Sequence, residues 1–553
     1  MATPMNVVHD FPGAVSMSFL RYAVLSAVVA LLLRRVFGWN SVTLKNQKRK
    51  PATAPSLIPF ISHTIAIASG GEKLFSTFKQ YCGLTSPIRF RMLGQDLILL
   101  SASDIRKTVH NPHVFTDNKL RARFISNVFG IPQAAADVVG VDNSGSAIRP
   151  TPGSNVAPDR RIVRMQQETA FDFLQSKDGI STFLDKFVGF LEQEIATKKI
   201  GEEWKEFDDF FDFVRKTSST AVMNAVCGPR LMQRCPKFVD AFWTFDENVH
   251  LLHIQLPKFF IPKAYEARQV CLDALKEWKR NAIETTKGNT YTKEDRWDET
   301  WGLQVMRTRN GLYDRFKEYH SDAARAGSDL GIVWASNDNL IPAAFWLVQA
   351  LVKSPELRDR CLVEINEARL PAVDGDGLPR FDTEILIKQP LLQSAYHEVL
   401  RTQVTSFIAR DVEQDFVLGD HLLPKGSYAL TVPWVENHNK ERWESRPGAT
   451  GHPVEEFWPE RFLVPKKDGE GAEFSLKGLE GSFFPFGMGH HICPGRHFAT
   501  RAILNLVATL VTAFEFEPVE KESWKDPGQN PQTFGYTPFR PTKKLPFRVR
   551  KAV

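Results

Sequence analysis

Residues 483–496 read Phe483-Phe484-Pro485-Phe486-Gly487-Met488-Gly489-His490-His491-Ile492-Cys493-Pro494-Gly495-Arg496. One cysteine sits in a glycine-rich loop flanked by phenylalanines, and the residues after it change to helical spacing. Ile503, Leu506, Val507, Leu510, Val511 and Phe514 fall on one stripe of a helix over 499–514. Cys493 therefore precedes a helix N-terminus, where unpaired N–H groups and the positive end of the dipole favour a thiolate over a thiol. Gly487, Gly489 and Gly495 let the backbone approach a large flat ligand closely. The loop admits three readings: an inert buried cysteine, a zinc ligand helped by His490 and His491, or a thiolate offered to the metal of a planar cofactor. Zinc has thin support, because Cys82, Cys227, Cys235, Cys271 and Cys361 form no pair with C-x-x-C spacing.

Three further segments carry unusual polar residues. In His397-Glu398-Val399-Leu400-Arg401, Glu398 and Arg401 are three apart and share one helix face, as an ordinary surface ion pair also does. Phe457-Trp458-Pro459-Glu460-Arg461-Phe462 follows downstream. Upstream, 330–352 reads as a long apolar helix interrupted by Ser336-Asn337-Asp338-Asn339 and then by Pro342. Proline at 342 cannot donate to the carbonyl of Asp338, and its ring pushes the helix open there. A free carbonyl, an acid and two amides meet at that point, either as satisfied polar groups of a kinked core helix or as a functional site.

The stretch from Phe486 to Gly495 resembles the haem-ligand signature of the cytochrome P450 family, F-G-x-G-x-R-x-C-x-G. The E-x-x-R pair and the P-E-R-F-like segment resemble the family in the expected order. The resemblance implies Cys493 as the axial ligand of the iron of haem b, in a loop shaped by Phe486, Gly489 and Gly495. His491 stands where the family carries an arginine for a haem propionate, so that contact is weaker or pH-dependent. Arg410, Arg161 and Arg164 are the other candidates for propionate contacts, although the helix carrying the last two lacks the tryptophan often found there. Glu398, Arg401 and Arg461 are expected to form a buried structural cluster. Residues 335–339 align with the oxygen-binding pattern A/G-G-x-D/E-T, with Asp338 at the acid and Asn339 in place of threonine. These two are the candidate catalytic residues, and asparagine does not relay a proton as a hydroxyl does. The run through Phe345 and Trp346 looks most like the branch containing sterol 7α-hydroxylases and prostacyclin synthase.

The implied fold is mainly α with a small β region. The implied activity is a haem-thiolate monooxygenase, inserting one oxygen atom from O2 into a lipophilic substrate such as a sterol, terpenoid or other secondary metabolite. Thiolate ligation favours O–O cleavage. No nucleotide or flavin motif appears, so electrons are expected from a separate NADPH-cytochrome P450 reductase, with cytochrome b5 as a second donor. Asn339 also suggests an isomerase or dehydratase acting on a peroxide without a reductase. A non-catalytic haem-binding protein is a third reading.

Length and composition suit one large unit. The 553 residues contain no long Gly/Ser linker or repeat, and the net charge of +6 is too small and diffuse to argue for nucleic acid. Few, unpaired cysteines give no disulfide framework. Residues 11–33 are apolar except for Arg21, and Arg34, Arg35, Lys45, Lys48, Arg49 and Lys50 follow. We read 1–35 as an uncleaved signal anchor with its span at about 11–33, placing the body on the cytoplasmic side of the endoplasmic reticulum membrane. A basic, proline-rich hinge over 36–60 leads to a catalytic domain over 61–553. Strands are expected at 88–91, 97–100, 407–412, 416–418 and 428–432, and helices at 182–198, 207–227 and 264–286. By resemblance, 124–129, 251–260, 334–339, 405–408 and 534–538 line or gate the distal pocket.

Overall fold

The computed structural model describes residues 49–552, apart from 59, 60, 69, 93, 372–376, 468, 490 and 491. The expected anchor, most of the hinge, and His490 and His491 lie outside the described residues. Among the described residues no helix is long and apolar enough to cross a membrane.

Helices dominate, and the longest expected ones form close to their predicted bounds: Lys177–Thr197, Phe210–Cys227 and Pro262–Thr285. The second starts later than its periodicity suggests because Lys205–Phe207 is taken into a small sheet by the C-terminal strand Phe547–Lys551. Asp209 then caps the helix, its side chain accepting from the Phe211 N–H.

The six-stranded mixed sheet runs Ala52–Thr53, Ile88–Arg91, Asp96–Leu99, Tyr428–Thr431, Ile408–Val412, Phe115–Thr116. The predicted hairpin forms, with Ile88 opposite Leu99 and Arg91 opposite Asp96. The second hairpin pairs Phe416–Leu418 with His421–Leu423 across Gly419-Asp420. Parallel pairing of Tyr428–Thr431 with Asp96–Leu99 joins residues more than three hundred positions apart. On its other side Tyr428–Thr431 pairs antiparallel with Ile408–Val412, which sets Arg410 opposite Ala429.

The helix after the cysteine loop spans Arg496–Ala513. Its apolar face is wider than the single stripe expected from sequence, because Ala502, Leu504 and Ala508 are buried along with Ile503, Leu506, Val507, Leu510 and Val511. It packs against Leu340–Lys353, which is buried almost throughout. A helix apolar on all sides belongs at the centre of a core.

Candidate active site

The cysteine loop is held by its own backbone. The Cys493 N–H donates to the Phe486 carbonyl at 2.8 Å, and the Gly487 N–H donates to Phe484 at 3.0 Å. Gly487 and Gly489 take the left-handed conformation, at φ 75° and 63°. At Gly489 space is limiting as well, since a Cβ there would lie 2.6 Å from Val109 Cγ1. Gly495 has an ordinary negative φ, and a Cβ there would sit in ordinary contact with Cys493 Sγ and Leu174 at 3.8 Å, so neither strain nor space requires glycine at this position. We expect Gly489→Ala to cost about 1–2 kcal/mol from backbone strain alone, read by denaturant unfolding, with a lower haem content of the purified protein.

The electrostatics of Cys493 differ from the sequence expectation. Burial pushes its thiol above the usual value, while the Gly495 N–H and the Arg496 charge pull the other way without prevailing. A helix N-terminus alone does not make this cysteine a thiolate.

Facing the loop, Asp322–Asn337 and Leu340–Lys353 form one helix broken at Asp338-Asn339. Pro342 supplies no N–H to Asp338, yet both break residues keep right-handed angles, so the interruption is shorter than a wide opening. Ala335 and Asn339 are exposed, four residues apart on one face, although residues 337 and 338 beside them are buried. An accessible strip in the middle of a core helix is a face for a ligand. Asn339 Nδ2 donates to Asp338 Oδ1 at 2.7 Å. Burial, and then the charge of Asp246, hold Asp338 well above the usual carboxylate range. Asp338 and Cys493 are near enough for the charge of one to raise the other.

Glu398, Arg401 and Arg461 meet with no solvent exposure at any of the three. Arg401 Nε donates to Glu398 Oε2 at 2.7 Å, and Arg401 Nη2 to Oε1 at 2.8 Å. Arg461 Nε and the Trp458 N–H also donate to Oε1, each at 2.9 Å. Their remaining donors reach backbone carbonyls of Asn437, Trp443, Pro453 and Glu456. His397, the residue before Glu398, lies 6.0 Å from the ring of Phe483 at a tilt of 51°, and Phe483 opens the cysteine loop.

The three candidate propionate arginines are not equivalent. Arg410 and the loop residues Met488 and Gly489 line one small cavity of about 30 Å³, together with Thr108, Val109 and Thr431. Arg410 Nη1 donates to the carbonyl of Ala409, and Asp117 lies at 4.0 Å. Arg161 instead spends its guanidinium on Ser144 Oγ and the carbonyls of 144, 145, 147 and 148. Arg164 donates to the Ser146 carbonyl and pairs with Glu168. Both sit at the start of the helix Ile162–Leu174, whose last residue is the one that approaches Gly495. About 20 Å of helix separate Arg161 from that end, at 1.5 Å per residue.

The five segments expected around the distal side converge. Phe124 packs on Trp334 and on His253, at ring separations of 5.9 and 5.1 Å. His253 Nδ1 and Tyr536 Oη are in hydrogen-bond contact at 2.9 Å, and Ser406 Oγ donates to the Tyr536 carbonyl at 2.7 Å. Sequence reading missed the pair Asp246–Arg540, which lies beneath this wall with both side chains buried. Its members are 294 positions apart, so no local spacing signals it.

The sequence model of the family described as cytochrome P450 matches residues 156–542, more than half of the chain. The chain belongs to the cytochrome P450 family. The cytochrome P450 monooxygenase efuG of Hormonema carpetanum is 26% identical over 552 residues, covering 95% of this chain and 94% of that one. Prostacyclin synthase of Rattus norvegicus is 30% identical over 230 residues, 39% of this chain and 43% of that one. The retinoic acid-bound cyanobacterial CYP120A1 structure has a TM-score of 0.62 at 16% identity, covering 92% of this chain and all of that one, and so shares the fold. This P450 is an oxidoreductase of the monooxygenase kind.

A thiolate-ligated haem is what the family implies, and the residues present fit it. A half-buried soft sulfur donor, a glycine at 489 where a side chain would clash with Val109, and an accessible strip on the facing helix all suit a flat metal cofactor. Among the described residues no group of three or more His, Cys, Asp or Glu side chains is placed to hold a metal ion.

Proposed function

We propose that this protein inserts one oxygen atom from O2 into a lipophilic small molecule, with electrons from a separate NADPH-dependent reductase, while anchored to the endoplasmic reticulum membrane by residues 11–33. The observation that carries this reading is the placement of Cys493 opposite Asp338 and Asn339, with an aromatic wall beside them. When bound, thiolate-ligated haem supplies O2 activation and the oxidation of unactivated carbon.

The chain's own groups bind, orient and exclude water. Phe124, Phe129 and Trp334 offer apolar surface to a substrate of sterol or terpenoid character, and His253 with Tyr536 offers hydrogen-bonding groups at its edge. Asn339 presents an amide on the accessible strip with Asp338 behind it. Exposed Leu57, Ile58, Ile61 and Ile65, and exposed Phe259 and Phe260, support contact with lipid.

Asn339, in the place of a threonine, favours one other reading: rearrangement of a peroxide without reductase. The retained acid at Asp338 opposes it. We expect product formation from a lipophilic substrate that shifts the haem spectrum to depend strictly on NADPH and reductase, with label from 18O2 in the product. Turnover of a peroxide substrate with neither present overturns the oxygenase reading in favour of the isomerase.

A further inference from the structure

Two buried acids and one buried cation lie behind the helix break. Asp246 lies in the last turn of the helix Phe238–Glu247 and pairs with Arg540 from the C-terminal segment. Its Oδ1 accepts from the Trp334 indole N–H at 2.8 Å. Arg540 lies over the Trp243 ring at 5.2 Å, and its backbone carbonyl accepts from the Asn530 N–H at 2.7 Å. Trp334 is one turn before Asp338, and its carbonyl accepts the Asp338 N–H at 3.0 Å. The Asp246–Arg540 pair is thus one hydrogen bond and one helical turn from the break.

Asp338 has none of these partners. It is fully buried; Oδ1 accepts from Asn339, and Oδ2 has no hydrogen-bond partner among the described residues. A buried carboxylate without a counter-ion is costly, and Asp246 already takes the arginine. The charged or titratable groups that act on Asp338 are Asp246, Arg540 and, across the site, Cys493. Burial raises Asp246 as well, but there the Arg540 charge and hydrogen bonds from Trp334 and Arg540 oppose it, and the Asp338 carboxyl lacks those hydrogen bonds; Glu247 adds to the rise, and His250 on the next helix feels Arg540. One cation between two acids leaves one acid charged and the other neutral.

We propose that Asp246, locked between Arg540 and Trp334, is a positioning residue that keeps Asp338 a neutral carboxylic acid, so that the proton at the helix break is carried on Asp338 directly behind Asn339. Burial and the Asp246 charge act in the same direction on Asp338, and Arg540 and Asn339 oppose them more weakly. This gives the buried ion pair a role that folding stability does not require, since such pairs cost desolvation. It also compensates for Asn339, whose amide has no hydroxyl proton to pass on. The inference builds on the monooxygenase reading for its use in catalysis, but its test needs no turnover.

The test is infrared spectroscopy of the purified haem protein carrying 13C-labelled aspartate carboxyls, titrated with pH. We expect a protonated-carboxyl C=O band at pH 7 that disappears in Asp338→Asn. In Asp246→Asn, which preserves an oxygen acceptor for Trp334, the pH at which that band is lost falls by about one unit or more. Asp246→Glu, which restores the charge, holds it near the wild-type value. If Asp246→Asn does not fold, the double variant Asp246→Asn/Arg540→Gln replaces it and lowers the midpoint by less. A wild type without an Asp338-dependent band at pH 7, or a midpoint unmoved by removing the Asp246 charge, overturns the proposal. Failure of the oxygenase reading shows instead as turnover without NADPH and leaves these bands untouched.

Discussion

Cys493→Ser abolishes the red-shifted absorption that a thiolate-ligated haem gives when reduced under carbon monoxide, and with it NADPH-dependent product formation. The substitution exchanges sulfur for oxygen in a half-buried side chain and leaves the loop's backbone bonds in place, including Cys493 N–H to Phe486 at 2.8 Å. The fold is therefore expected to survive, with an unfolding midpoint close to that of the wild type. Ligand character is what changes. A serine hydroxyl is a harder donor with a far higher pKa than a thiol, and the site already opposes ionisation through burial. The measurement is the carbon monoxide difference spectrum of the two proteins at matched haem content. A Cys493→Ser protein that retains the red-shifted band places the metal ligand elsewhere.

The second large effect is on stability. Glu398→Ala is expected to cost about 3–5 kcal/mol, as removal of one partner from a buried ion pair does, against a typical domain stability of about 5–15 kcal/mol. Glu398 accepts four hydrogen bonds, three from guanidinium groups and one from the Trp458 N–H. Without it, Arg401 and Arg461 remain buried and face each other, with Arg446 close enough to be lowered by the Arg461 charge. Denaturant unfolding of Glu398→Ala and Glu398→Gln separates the two contributions, because glutamine retains a carbonyl acceptor and most of the shape. A loss below about 1 kcal/mol for the alanine variant, the range of an exposed pair, contradicts a buried structural role.

These residues also show where sequence reading suffices. The cysteine loop, the E-x-x-R pair and the arginine of the Phe457 to Phe462 segment are contiguous motifs, each confined to a turn or a loop. Their residue types and order were readable without a fold. The break at Asp338-Asn339 follows from one proline four residues on, which is a covalent fact about the backbone. The hairpin 88–99 follows from alternation and a glycine turn. Even so, Pro342 did not announce how small the interruption is, because flanking apolar residues buried on every side hold both halves in register.

The propionate candidates show the opposite case. Arg161, Arg164 and Arg410 look alike as letters, and the first two lie close to a helix start where a family comparison seeks them. Arg161 is consumed by the carbonyls of a loop that folds over it, whereas Arg410, opposite Ala429 in an antiparallel pair, lines one cavity with Met488 and Gly489 of the cysteine loop. Guanidinium groups go where acceptors are unpaired, and only the folded chain decides which carbonyls those are.

By itself, then, the order of residues determined the glycine-rich cysteine loop, the mainly helical class and the position of the helix break, since each depends on interactions within a few residues or on a motif of fixed spacing. The triad of Glu398, Arg401 and Arg461, by contrast, was expected from the family resemblance and closes across 63 positions. Tertiary structure alone decided the electrostatic state of the site. It buried Cys493 enough to raise its thiol, set Arg410 in one cavity with Met488 and Gly489 while Arg161 and Arg164 bond loop carbonyls, and brought Asp246 and Arg540 behind Asp338 across 294 positions of chain. Desolvation and charge pairing depend on what surrounds a group in space, and no local spacing encodes that.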